Sequence, residues 1–260
     1  MNAVGEAKRG DSALNNQQRD RALDLMRATD PEHPLDVLVI GGGVVGCGAA
    51  LDAAARGLSV GLVEMQDLAE GTSSRSSRLA HGGLRYLEQR EFSLVHEALT
   101  ERGLLLDRLA PHLVRPVPFL FPVAKQWQRP YVASGIRLYD LLSRVGAYGG
   151  SMPRPKSLNR EQAKELAPDL NSDEIAGAVR FHDAQIDDAR HTVALARTAV
   201  SYGAQVVTRA RMVSLIRDGD RVVGARIQVE GPEAAGAGSN TVSVAVYARC
   251  VLRAVGVWTE

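Results

Sequence analysis

Cysteine is nearly absent: Cys47 and Cys250 are the two in 260 residues. Two thiols so far apart make no disulfide framework, and they point to a reduced, cytoplasmic chain. Charge excess is absent too, with 31 basic side chains against 30 acidic. That balance supplies no general field for nucleic acid, and no nucleic-acid partner is expected. Long apolar runs are missing. Nothing approaches the roughly 18 residues that a membrane-spanning helix needs. The first 35 residues are polar and mixed in charge, without the apolar stretch of a secretory signal. What remains is a chain long enough for one large domain or two smaller ones with a substantial core.

The most informative stretch runs from Asp36 to Glu64, DVLVIGGGVVGCGAALDAAARGLSVGLVE. Val37 to Ile40 is an apolar, β-branched run bounded by a charge and by glycines, which predicts a buried parallel strand. Gly41, Gly43 and Gly46 follow in GxGxxG spacing. Gly41 suits the tight turn out of the strand. Gly43 lets backbone approach a pyrophosphate, and Gly46 lets the following helix pack close. The helix N-terminus presents N–H groups and a positive dipole end to phosphate. Gly57 ends the helix, Leu58–Val63 predicts a second strand, and Glu64 at its end is placed to accept from a ribose diol. The pattern predicts a dinucleotide. By itself it leaves FAD and NAD open, while Glu64 would repel the extra phosphate of NADP.

Upstream, residues 1–15 read as disordered. Gln17–Ala28 reads as a short helix with Ala22, Leu23, Leu25 and Met26 on its apolar side, ended by Asp30, Pro31 and Pro34. Downstream the pattern changes. Glu70–Glu88, EGTSSRSSRLAHGGLRYLE, is rich in hydroxyls, glycine and arginine without an amphipathic period. Thr72, Ser73, Ser74, Ser76 and Ser77 could cap a helix or hold phosphate oxygens.

GTSSRSSRLAHGGLRYLE, continued by EFSLVHEALTERGLLLDRLAPHLVRPVPFLFPV, resembles the signature of quinone-linked, FAD-dependent glycerol-3-phosphate dehydrogenases, most closely of the actinobacterial type. The resemblance runs from about Asp36 to Trp258 and selects FAD. It implies an α/β fold: a glutathione-reductase-like FAD-binding Rossmann domain with part of a mixed-sheet substrate domain, truncated. Residues 1–35 would be tail and short helix. Residues 36–260 would be the oxidoreductase domain, with substrate-domain segments inserted at about 110–180. The implied reaction is oxidation of sn-glycerol 3-phosphate to dihydroxyacetone phosphate, with hydride passing to N5 of FAD and electrons onward to a quinone. The rivals are another FAD enzyme of amine- or sarcosine-oxidase type, and a catalytically inactive FAD-binding fragment.

The resemblance also assigns residues. Gly41, Gly43, Gly46 and Glu64 would hold the ADP half. Thr72, Ser73, Ser74, Arg78, Leu79, His81 and Gly82 would lie on the flavin side, Met212 near the adenine and Gly256 in a flavin-contacting turn. Arg85 and Tyr86 match the family's substrate-contacting pair, and a guanidinium suits a phosphate dianion. His81 could orient or deprotonate substrate, or only touch flavin. No metal site is expected.

Glu91–Leu109 predicts an amphipathic helix on Phe92, Val95, Leu99, Leu106 and Leu109. Pro111, Pro116, Pro118 and Pro122 enforce extended chain. Pro130–Val145 predicts a helix. Between Pro111 and Lys156 seven basic residues face one acid, Asp140, with Phe119, Phe121, Trp127 and Tyr131 interleaved. That mixture suits either a solvated face or an anionic membrane surface. With the resemblance it suggests a peripheral position at the inner face of the cytoplasmic membrane. Ser157–Leu166 predicts a helix capped by Ser157, and Ile175–Phe181 a strand. In Phe181–Val200, Asp187 or Asp188 caps a helix through Tyr202, ended by Gly203. His182, Asp183, Arg190 and His191 take structural roles in this reading. Gln205–Ile216 and Arg221–Val229 predict a hairpin across Asp218-Gly219-Asp220. Gly231–Asn240 reads as a loop, and Thr241–Ala248 and Arg249–Val255 as two more strands.

One motif departs from the pattern. The family reads Asn-Ala-Thr-Gly before its Trp; here Arg253-Ala254-Val255-Gly256-Val257-Trp258 stands instead. The expectation is a charge where the strand enters the core, and weakened FAD packing. Members of the family continue for about as much sequence again, so the resemblance reads the chain as an N-terminal piece.

Overall fold

The computed structural model describes residues 12–144, 152–171, 174–230 and 241–258. The expected loop at 231–240 and residues 1–11 of the expected tail lie outside the described residues. The chain divides into two compact units: the described residues through Ser76 with those from Asp188 onward, and Ser77–Asp187.

The first unit is built on a six-stranded sheet. Its helices are α1 (Asn16–Arg27), α2 (Val44–Ala55) and α7 (Asp188–Ser201). Its strands are β1 (Leu35–Ile40), β2 (Val60–Val63), β7 (Gln205–Val207), β8 (Ala210–Asp218), β9 (Arg221–Glu230) and β10 (Thr241–Arg253), in the order β7-β2-β1-β10-β9-β8. β7, β2, β1 and the end of β10 run parallel, whereas β10, β9 and β8 form an antiparallel meander. β1 is apolar from Val37 to Ile40 because both its faces are covered there. Leu38 and Ile40 join Ala22, Leu23 and Met26 of α1 and the meander's Ile227, Val229 and Val246. Val39 points the other way, into Cys47, Ala50 and Ala54 of α2 and Ala196, Ala199 and Val200 of α7. The small residues of α2 and α7 let those two helices lie close together.

Several expectations shift. The two strands expected at Thr241–Ala248 and Arg249–Val255 are one strand, β10, which pairs with β9 through Tyr247 and with β1 from Ala248. Conversely, the strand expected at Gln205–Ile216 breaks at Arg209, whose φ is 52°. β7 serves β2 and β8 serves β9, so the chain must turn between them. β2 starts at Val60, two residues late, after the left-handed Gly57. Residues 12–15 are not loose: Asn15 caps α1 through Gln18 N–H, and Leu14 packs against the core that α2 and α7 share. Arg253 is exposed rather than buried at the strand's end, so the expected burial of a charge does not occur.

The second unit pairs β6 (Gly177–Ile186) antiparallel with β4 (Val114–Val123) on one side and with β3 (Leu79–Ala80) and β5 (Lys156–Leu158) on the other. Pro116, Pro118 and Pro122 fall at alternate positions of β4, so their missing N–H groups face away from β6. Phe119 stacks on Phe181 across the ladder at 5.6 Å. Helices α3 (Leu84–Glu88), α4 (Phe92–Leu104), α5 (Gln128–Arg144) and α6 (Arg160–Leu166) complete the unit. The helix expected at Glu91–Leu109 instead widens into a π-helical turn over Leu105–Leu109. That turn carries Leu106 and Ala110 into a core with Val114, Ala184 and Ile186. Ser157 is not a cap: it lies in β5, and α6 has a capping box made by Asn159 and Gln162. The strand expected to stop at Phe181 continues to Ile186 because β4 pairs along its whole length. Among the described residues no helix is long and apolar enough to cross a membrane.

Candidate functional site: a glycine turn and a histidine turn

The predicted residues fall into two groups, one in each unit. In the first, β1 ends at Ile40 and the chain turns through Gly41, whose φ is 115°. A Cβ there would run into the Ala254 carbonyl at the end of β10, and a Cβ on Gly46 would run into the Gly41 carbonyl. Both glycines are therefore required for closeness. Gly43 is the N-cap of α2 in ordinary extended backbone, without a side chain to cap the helix. Ser73 does it instead: Val44 N–H donates to Ser73 Oγ at 2.9 Å from a 3-10 turn over Thr72–Ser74. Ser74 is committed locally to the Gly71 carbonyl, and Thr72 is exposed.

Glu64 caps the same turn. Its Oε2 accepts from Gly42 N–H at 2.6 Å and its Oε1 from Gln66 N–H at 2.9 Å. A carboxylate has about four acceptor directions, so each oxygen keeps one for a hydroxyl. The Glu64 carboxylate also joins burial in pushing the Cys47 thiol up to about 12, burial being the larger cause. Cys47 is thereby an inert packing group. Gly42 went unread in the sequence, yet a Cβ there would lie 2.8 Å from Leu68 and 2.9 Å from Glu64. Met212 follows closely on Ala210, whose N–H donates to the Glu64 carbonyl at 2.8 Å, and packs half-buried on the meander core. Gly256, at φ 59°, sits in a turn closed by Trp258 N–H on the Val255 carbonyl. Trp258 Nε1 lies 3.9 Å from where a Gly71 Cβ would stand.

The second group surrounds His81. Arg78 is left-handed at φ 58°, and its carbonyl accepts from Ile186 N–H, which starts β3 at Leu79. His81 and Arg85 are exposed, while Gly82 is buried. Gly83 takes φ 67° ahead of α3, with the Tyr86 ring against its α-carbon. Gly83 N–H donates to His81 Nδ1 at 3.0 Å. With that lone pair in use, the neutral ring carries its proton on Nε2 and offers a donor.

The residues weighed as structural divide. Asp183 is buried and holds Arg102 at 2.7 Å and the Tyr139 hydroxyl at 3.0 Å. No local pattern marks that cluster, since its members lie on β6, α4 and α5. Asp188 begins α7 and accepts from the Ser76 hydroxyl. His182 and His191 are both held below the ordinary imidazole pKa by burial.

Residues 36–260 match the family model described as FAD dependent oxidoreductase (DAO). The chain belongs to the FAD dependent oxidoreductase family. It is 51% identical over 250 residues to the glycerol-3-phosphate dehydrogenase of Mycobacterium leprae, covering 96% of this chain and 40% of that protein. Identity to glycerol-3-phosphate dehydrogenase 2 of Mycobacterium tuberculosis is 53% over 226 residues, 86% of this chain and 37% of the relative. The solved glycerol-3-phosphate dehydrogenase of Bacillus halodurans, complexed with FAD, superposes with a TM-score of 0.62 at 30% identity over 93% of this chain and 37% of that one. The chain thus spans about two fifths of the curated relatives it matches. The glycine turn fits the family's cofactor: two glycines leave no room for side chains, α2 begins at the turn, and Glu64 has acceptor directions to spare.

Proposed function

We propose that this FAD dependent oxidoreductase chain carries the flavin site and part of the substrate site of a glycerol-3-phosphate dehydrogenase. The observation that carries the reading is the glycine turn, closed against Ala254 and held by Glu64 and Ser73. Gly41, Gly43 and Gly46 would bring the N-terminus of α2 to the pyrophosphate. Glu64 would accept from ribose, Met212 would lie by the adenine, and Thr72, Ser73, Ser74, Arg78, Leu79, His81, Gly82 and Gly256 would line the flavin side. When bound, FAD supplies the acceptor for the hydride of a secondary alcohol, and a quinone takes the electrons from it. His81 orients the substrate through Nε2–H; with Nδ1 occupied by Gly83 N–H, it is a donor rather than a base. Arg85 supplies permanent positive charge for the phosphate, and Tyr86 stands beside it.

The names of the relatives favour glycerol 3-phosphate over an amine. A peripheral membrane position draws support from Trp127 and Tyr131, 68% and 69% exposed among Lys125 and Arg129. The test is the visible spectrum of the purified chain with FAD, before and after anaerobic sn-glycerol 3-phosphate. Flavin bands that survive desalting and bleach with this substrate are the expected result. Bleaching by an amine alone would move the reading to an amine-type oxidase. Bound flavin that neither bleaches would confine it to FAD binding, and a colourless chain would overturn it.

A further inference from the structure

The turn between His81 and Arg85 is anchored from below. Gly82 N–H donates to Tyr139 Oη at 2.7 Å, buried, across 57 residues of sequence. A Cβ on Gly82 would stand 2.5 Å from Leu99 and 2.9 Å from that hydroxyl, so the backbone rests directly on both. Tyr139 Oη–H donates to Asp183 Oδ2 at 3.0 Å. Asp183 Oδ1 accepts from Arg102 at 2.7 Å and from Ala184 N–H at 3.2 Å. Arg102, Tyr139 and Asp183 are 3%, 3% and 5% exposed.

The direction of each hydrogen bond follows from valence. A phenol has one proton and two lone pairs. A carboxylate only accepts and a backbone N–H only donates. The Tyr139 hydroxyl therefore gives its proton to Asp183 and turns a lone pair to Gly82. Arg102, also 5.6 Å from the centre of the Tyr139 ring, pairs with Asp183 at 2.7 Å. Burial first, and the Asp183 charge second, push the phenol pKa well above its ordinary value, so the proton stays.

We propose that Tyr139 is the positioning residue of the His81–Gly83 turn: its hydroxyl, oriented by the Asp183–Arg102 pair, fixes Gly82 N–H and so presents His81 and Arg85 to a phosphate-bearing substrate. The substrate clause rests on the proposed function; the anchoring of the turn does not.

The test uses the full 260-residue chain. Tyr139→Phe keeps the ring and removes the hydroxyl. Asp183→Asn keeps the shape but replaces the carboxylate oxygen that takes the phenol proton with an N–H donor, so the hydroxyl loses the acceptor that fixes its orientation toward Gly82. Amide exchange at Gly82 is read against the amides of α4 and α5. In either variant Gly82 should exchange at least about tenfold faster while the helix amides hold. If Tyr139→Phe does not fold, Asp183→Asn carries the measurement. Unchanged exchange at Gly82, or loss of protection spread evenly over the unit, overturns the proposal. If the parent chain with FAD is bleached by sn-glycerol 3-phosphate, Tyr139→Phe should raise KM about tenfold with the flavin spectrum unmoved. If the parent is not bleached while the exchange result holds, the substrate clause fails and the anchoring stands.

Discussion

The glycine turn and the histidine turn solve one problem in two ways. Each must hold backbone N–H groups in a fixed direction without a regular ladder to do it. At the glycine turn, Glu64 and Ser73 hold the N–H groups of Gly42 and Val44 from 22 and 29 residues away, in partly open surroundings. At the histidine turn, Tyr139 holds Gly82 from far along the chain, in a buried site backed by an ion pair. An open carboxylate can share its lone pairs with an incoming ligand. A phenol buried at 3% exposure is closed to a ligand and can only fix geometry. On the proposed function, the difference separates a turn that would bind from a turn that would present.

Asp183→Ala should break the second arrangement hardest. It leaves Arg102 charged and buried without its carboxylate, and a loss of about 3–5 kcal/mol is expected in denaturant unfolding. Gly46→Ala attacks the first: its methyl would meet the Gly41 carbonyl, and the backbone must give, at about 1–3 kcal/mol, with weakened FAD retention. Gly48→Ala, two residues along the same helix, meets nothing within 4 Å. It should instead stabilise by up to about 1 kcal/mol through helix propensity. The pair of melts separates steric need from glycine content.

The smallest effect concerns acid. Burial holds His191 below its ordinary value against an opposing Asp188, and burial with Arg180 does the same for His182. The unfolded chain therefore takes up protons first as pH falls. The stability these histidines contribute is present above the ordinary value and is lost as pH falls from there to the depressed one. His191→Gln should flatten the dependence of Tm on pH just below the ordinary imidazole value. A curve parallel to the parent's would remove His191 from the acid response of the first unit.

The first turn was legible because its causes are local. An apolar run, three glycines in fixed spacing and an acid at the end of the next strand fall within Asp36–Glu64. The second was half legible. The residues it displays stand together in HGGLRY, but its support does not: Leu99, Arg102, Tyr139 and Asp183 lie on α4, α5 and β6, and no local pattern joins them. Only pairing β6 with its neighbours and packing α4 on α5 brings them together. The same limit hid β10. Its residues change environment at Ala248, where the antiparallel partner gives way to a parallel one, and a local pattern reads that change as two strands. Arg209 interrupts the other run because two strands need different partners, not because its own residues favour a turn.

The course of β10 also sets a timetable for synthesis. β1 lies between β2 and the last residues of β10, with Ile40 level with Arg253. A nascent chain therefore holds an unpaired edge on its central strand until position 253 has left the ribosome. Every strand of the second unit has emerged by Ile186. At about 5–20 residues per second, the interval between the two is about 3–13 s. During it β1 offers an apolar edge with no partner of its own chain, which is the condition under which a folding-assistance factor would be needed.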